Sequence, residues 1–104
     1  MIRVTVLYAR EKGKTFDADY YITKHMPLVR KKLNPHGLKK AQVDKSVGKS
    51  DDGLSPYFAI TSLYFDSVAD FKKGFSAATP DLLKDLPNYT DVAPVVQLSE
   101  VVDC

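Results

Sequence analysis

The run YFAITSLYF, Tyr57 to Phe65, constrains the fold more than any other stretch, because it is apolar on both of its alternating faces. Tyr57, Ala59, Leu63 and Phe65 fall on one side and Phe58, Ile60 and Tyr64 on the other, which predicts a central strand covered on both sides. Such a strand needs neighbours at both edges, and three other stretches supply them. Ile2, Val4, Val6 and Tyr8 alternate with Arg3, Thr5 and Leu7 in a β-branched run of period two. KKAQVDKSV is Lys-rich and weakly apolar, as an edge strand should be, and VVQLSEVV alternates near the end of the chain.

Two helical regions separate these strands. The first contains FDADYYITKHMPLV, Phe16 to Val29, with Asp17 placed to cap its free N–H groups. Asp17 and Asp19 lie in its first turn and Arg30, Lys31 and Lys32 in its last, the charge order a helix dipole favours. Tyr21, His25 and Val29 recur at i, i+4 and i+8, so they share a face that lies on the sheet. Pro27 has no N–H to give the Thr23 carbonyl, which predicts a kink or local break beside His25. The turn Asn34-Pro35-His36-Gly37 ends this region. The second region is capped by Asp66 or Ser67 and buries Val68, Phe71 and Phe75. Thr79 and Pro80 then restart a short helix that turns Leu82, Leu83 and Leu86 inward.

The order strand, helix, strand, strand, helix, strand is the α+β, ferredoxin-like βαββαβ arrangement, with a four-stranded antiparallel sheet and both helices on one face. Right-handed crossovers place both helices on one side, which leaves the other face bare although both faces of Tyr57 to Phe65 are apolar. A second copy of the chain packed sheet to sheet is the simplest cover, so a homodimer is expected.

At 104 residues the chain is read as one domain, 1–104, with room for a single core. Fifteen Lys and Arg against 13 Asp and Glu leave a net charge of +2, which gives no support to nucleic-acid binding. The basic stretch RKKLNPHGLKK divides into a helix end and an edge strand, each with its own structural reason for positive charge. No run approaches the ~20 apolar residues of a membrane span, and MIRVTVLYAR lacks the cleavage site of a signal peptide. One cysteine, Cys104, forms no internal disulfide and fits a reducing, cytoplasmic setting. No metal is expected from two histidines and a terminal cysteine without ligand spacing. Nucleotide-binding and serine-nucleophile motifs are absent from the sequence.

The stretch FDADYYITKHMPLV resembles the signature of EthD-like proteins of the dimeric α/β-barrel superfamily. The supporting residues are Phe16-Asp17, the aromatic pair Tyr20 and Tyr21, the run His25-Met26-Pro27-Leu28-Val29, Phe65-Asp66-Ser67, and Asp85-Leu86-Pro87-Asn88-Tyr89. The resemblance implies a subunit whose sheet pairs with that of a second subunit, with a pocket between helices and sheet that His25 faces. It also implies cofactor-independent chemistry on an apolar, oxygenated small molecule, by proton transfer (isomerase or cyclase) or monooxygenation, in ether or aromatic catabolism. The alternative is a non-catalytic ligand-binding or assembly module in which His25 is structural.

His25 is the candidate catalytic group, since an imidazole with a pKa near ~6.5 can hold or release a proton at neutral pH. Tyr21, one turn before it, is expected to meet a substrate oxygen or to form pocket wall. Tyr64 and Tyr89 are further substrate-binding candidates, and His36, in a Pro-Gly turn, is expected to be exposed.

Overall fold

A computed structural model describes residues 1–104. Strand β1 (Ile2–Ala9) is followed by a helical region that begins with α1 (Ala18–Tyr20), widens into a π-helical turn (Tyr21–His25), continues as α2 (Met26–Leu33) and ends in a 3-10 turn (Asn34–His36). Strands β2 (Lys40–Lys45) and β3 (Tyr57–Phe65), helix α3 (Val68–Asp85), a 3-10 turn (Leu86–Asn88) and β4 (Val95–Glu100) complete the chain. The sheet order is β2-β3-β1-β4, and every pairing is antiparallel. This is the expected ferredoxin-like topology, with YFAITSLYF bonded on both edges.

Strand parity sets the two faces. Val4, Val6 and Tyr8 on β1 and Ala59, Thr61, Leu63 and Phe65 on β3 are buried beneath the helices, together with Val29 and Leu33 of α2 and Phe71 and Ala78 of α3. The opposite face carries Leu7, Ile60 and Tyr64, each half-buried, and no helix covers it. Phe58, which alternation puts on that face, sits instead where a β-bulge shifts the register opposite Tyr8 and Ala9, and its ring stacks at 5.9 Å on Phe16, which packs against the core.

Caps form where the sequence places them. The Asp17 carboxylate accepts from the Tyr20 N–H at 3.0 Å, and the Ser67 hydroxyl accepts from the Asp70 N–H at 3.1 Å. Gly37, at φ 97°, closes the first helical region in the left-handed conformation that glycine adopts without a Cβ penalty. His36 is half-buried rather than exposed, because it packs against Gly74 of α3.

The break expected beside His25 takes the form of a widened turn, in which the Met26 N–H reaches the Tyr21 carbonyl in an i to i−5 bond. Pro27 has no N–H, so the change of register costs no donor at that position. Instead of restarting at Thr79, α3 runs unbroken through Pro80. The Thr79 hydroxyl donates to the Phe75 carbonyl at 2.5 Å, one residue before the Ser76 carbonyl that Pro80 leaves without its helical donor.

Gly74 marks the closest approach of α3 to the first helical region. A Cβ there would stand 2.8 Å from the His36 Cβ and 3.2 Å from Leu33 Cδ2. Overpacking of this kind typically costs ~1–3 kcal/mol, against a gain of ~1 kcal/mol from alanine's helix propensity. Gly74→Ala is therefore expected to destabilise by about 1 kcal/mol, lowering Tm by roughly 4–8 °C in a thermal melt. A raised Tm would contradict this packing.

Candidate functional site

A cavity of about 280 Å³ lies between the helices and the sheet, and 12 of its 16 lining residues are hydrophobic. His25, Tyr21 and Tyr89 all line it. The π-turn turns both Tyr21 and His25 inward, and their rings stack with centroids 5.2 Å apart. Tyr89, just after α3 and its 3-10 turn, brings its ring to 4.5 Å from the imidazole. Tyr64 stands apart from this cavity. As an even-numbered residue of β3 it projects from the opposite face, where its hydroxyl meets Arg3 Nε at 3.1 Å and Gln42 Oε1 at 3.4 Å. Alternation along the strand, not distance in sequence, removes it from the site.

His25 has a partner that is 60 residues away in sequence. Its Nδ1 lies 2.8 Å from Asp85 Oδ2 at the end of α3. The other oxygen, Oδ1, accepts from the Tyr20 hydroxyl at 2.7 Å and the Asn88 side-chain amide at 3.0 Å. A carboxylate in the last turn of a helix opposes the helix dipole, so helix formation alone does not explain Asp85. Its three side-chain donors do, because each stabilises the ionised form.

Burial lowers the His25 pKa below its ordinary 6.5, outweighing the opposing effect of Asp85. Burial alone would raise Asp85, but hydrogen bonds from Tyr20, His25 and Asn88 outweigh it and hold the carboxyl below its ordinary 3.8. Near neutral pH the pair is thus a neutral imidazole donating Nδ1–H to a carboxylate, which leaves the Nε2 lone pair free to accept a proton. Nε2 lies 3.4 Å from the Tyr89 hydroxyl, which in turn lies 2.8 Å from that of Tyr8. Burial raises the pKa of Tyr8, Tyr21 and Tyr89 above the ordinary 10, so all three phenols stay protonated. The Tyr21 hydroxyl is 2.5 Å from Thr61 Oγ1, so it is already paired inside the wall.

The depressed His25 pKa fixes a pH dependence of stability. As pH falls through about 6.5 the unfolded chain takes up the proton first, so the contribution of neutral His25 is complete above that value and is lost toward the lower folded-state pKa. Asp85 acts in a separate window, with stability present above its ordinary 3.8 and lost as pH falls through its lower folded-state value. Urea melts between pH 7.5 and 5 are expected to show falling stability in the wild type and a flatter profile in His25→Gln. Equal slopes would contradict the buried neutral imidazole.

Asp85, Tyr8 and Thr61 are site residues that sequence patterns did not single out. Tyr8 reads as one more apolar member of β1, and Thr61 as a polar break in β3. Asp85 lies within the Asp85-Leu86-Pro87-Asn88-Tyr89 run, and its position against the helix dipole was the available signal. No three His, Cys, Asp or Glu side chains converge to hold a metal, and no helix is long and apolar enough to cross a membrane.

A four-stranded antiparallel sheet with helices on one face, enclosing an apolar cavity with a His–Asp pair at its wall, defines a ferredoxin-like protein with a small-molecule-sized site. Residues 13–93 match the EthD domain, and the chain belongs to the EthD family. It is 34% identical to an EthD-like protein from Ralstonia eutropha JMP134, covering 98% of this chain and 92% of that one, with a TM-score of 0.91. An ethyl tert-butyl ether D family protein from Bacillus halodurans C-125 is 22% identical over 98% of this chain and 99% of its own, with a TM-score of 0.70. The same fold occurs in a hydroxynitrile lyase from Passiflora edulis, at 16% identity over 99% of this chain and 94% of that one and a TM-score of 0.67. No curated protein matches the chain significantly.

Proposed function

We propose that this protein is a small-molecule enzyme in which His25 Nε2 takes a proton from a neutral, mostly apolar, oxygenated metabolite and returns it elsewhere on the same molecule. The observation that carries this reading is the 2.8 Å bond from His25 Nδ1 to Asp85 at the wall of the cavity. Asp85 fixes the tautomer and ring orientation and would stabilise the imidazolium formed on proton transfer. The stacked Tyr21 ring fixes the plane of the imidazole, and the Tyr89 hydroxyl is within reach of the reacting region. A proton shuttle of this kind returns what it takes, so the step needs no oxidant. The ether in the Bacillus relative's name, and the lyase that shares the fold, are consistent with small oxygenated substrates.

The test is deuterium incorporation in D₂O, followed by NMR, across a panel of apolar ketones and β-dicarbonyl compounds. At least one compound is expected to exchange its α-proton faster than in buffer, with an acid limb whose midpoint lies below the ordinary histidine value. A panel with no accelerated exchange would count against proton transfer. We also propose a homodimer built on the bare sheet face, in which Leu7 and Ile60 become covered. Sedimentation at micromolar concentration is expected to give twice the chain mass, and a monomer there would contradict it.

A further inference from the structure

The polar groups of the cavity are not equally available. Among its lining residues, those with an N–H or O–H are His25, Tyr8, Tyr21, Tyr89, Thr61 and Thr79. Thr79 is bound to the Phe75 carbonyl, and Tyr21 and Thr61 share one bond that uses one of their two hydroxyl hydrogens. The polar groups that reach the base form the chain Tyr8, Tyr89 and His25. Because the Nδ1 proton goes to Asp85, Nε2 is an acceptor, so the Tyr89 hydroxyl donates to it and the Tyr8 hydroxyl donates to Tyr89. The contact with Nε2 is the weakest in the set, at 3.4 Å against 2.8 Å for both Tyr8–Tyr89 and His25–Asp85.

We propose that the Tyr89 hydroxyl, polarised by Tyr8, is the oxygen-binding donor for a neutral carbonyl or hydroxyl ligand, and that ligand binding draws it off His25 Nε2 and frees the base. The proposal rests on the proton-transfer reading of this cavity and adds the ligand class and the order of events. The Tyr89 proton can turn from Nε2 to a ligand oxygen while Tyr89 keeps accepting from Tyr8, and a donor that is itself hydrogen-bonded is strengthened. Burial keeps both phenols protonated, so the site offers hydrogen and not charge.

The same lining sets the ligand's charge and shape. No Lys or Arg borders the cavity, and the carboxylate of Asp85 lies just behind His25. An anionic ligand would lose its water to neutral hydroxyls alone, beside a fixed negative charge. Leu83 and Val96 line the cavity yet stay 57% and 40% exposed, which makes its mouth apolar and directs the ligand's hydrocarbon end outward. A volume of about 280 Å³ suits a molecule smaller than a typical drug.

The experiment uses two probes of nearly one shape, cyclohexyl methyl ketone and cyclohexanecarboxylate, titrated at pH 7.5 into protein with ¹⁵N-labelled histidine. The ketone is expected to bind at least about tenfold more tightly than the carboxylate, and to move the His25 Nε2 resonance toward that of a free, unprotonated imidazole nitrogen. In Tyr89→Phe that resonance is expected at the free position before any ligand is added, with ketone affinity lowered about tenfold, the scale of one hydrogen bond. Tyr8→Phe is expected to weaken the ketone while Nε2 stays bonded in the unliganded protein. Absent ketone binding, equal binding of the carboxylate, or unchanged ketone affinity in Tyr89→Phe would each overturn the proposal. Failure of the proton-transfer reading has a different signature, in which the ketone binds selectively but its α-protons do not exchange.

Discussion

Replacing His25 with alanine is expected to slow α-proton exchange by about 10²–10⁴-fold, the range over which a positioned acid–base group acts. The imidazole is the only titratable side chain lining the cavity that is not a phenol, and the phenols there are held above their ordinary 10 by burial. Deleting it leaves Asp85 with two of its three side-chain donors, Tyr20 and Asn88. That residual clamp is why the fold is expected to survive. His25→Gln provides a control, because its amide can still donate to Asp85 but cannot carry a proton in turnover. Exchange rates in D₂O separate the cases: both variants should fall together, and a rate within twofold of wild type in either would remove His25 from the chemistry.

Phe65→Ala carries the largest expected effect on stability, a loss of about 3–5 kcal/mol. Phe65 ends β3 with no exposed surface, and its ring meets Phe71 of α3 edge to face at 5.7 Å. It therefore ties the central strand to the second helix, and truncation would remove both burial and the aromatic contact. Native domains have only about 5–15 kcal/mol in total, so the variant should unfold at much lower urea. The ring is not among the cavity-lining residues, so ligand affinity of the folded fraction should be retained. A measured loss below about 1 kcal/mol would mean that the core closes around the gap far better than close packing allows.

The sheet was legible because its residues obey a short-range rule. Alternation in β1 and β3 separates the two faces except at the bulge, where Phe58 turns to Phe16, and the paired apolar faces of Tyr57 to Phe65 require a central position. Helical irregularities were less legible. Pro27 and Pro80 each withhold one N–H, but one is accommodated by a π-turn and the other within an unbroken helix. Proline specifies which bond is missing and leaves the surrounding packing to choose the remedy.

The site divided along the same line. His25, Tyr21 and Tyr89 could be found locally, from helix spacing and from a motif, and all three line one cavity. Tyr64 was drawn in by its chemistry although its parity on β3 sends it to the other face. Asp85 and Tyr8 were not singled out because their meaning depends on partners 60 and 81 residues away, His25 and Tyr89. A sequence displays an acid in a helix end or a tyrosine in a strand, but only the assembled sheet and helices show which donors they face.

¹⁵N NMR of the His25 ring through a pH titration reads out the proposed neutral base with its Nδ1–H held on Asp85. The expected result is a neutral Nδ1–H tautomer at pH 7, with a protonation midpoint below 6.5 that shifts lower still in Asp85→Asn, where a carboxylate no longer supports the imidazolium. An Nε2–H tautomer, or a midpoint above 6.5, would contradict it.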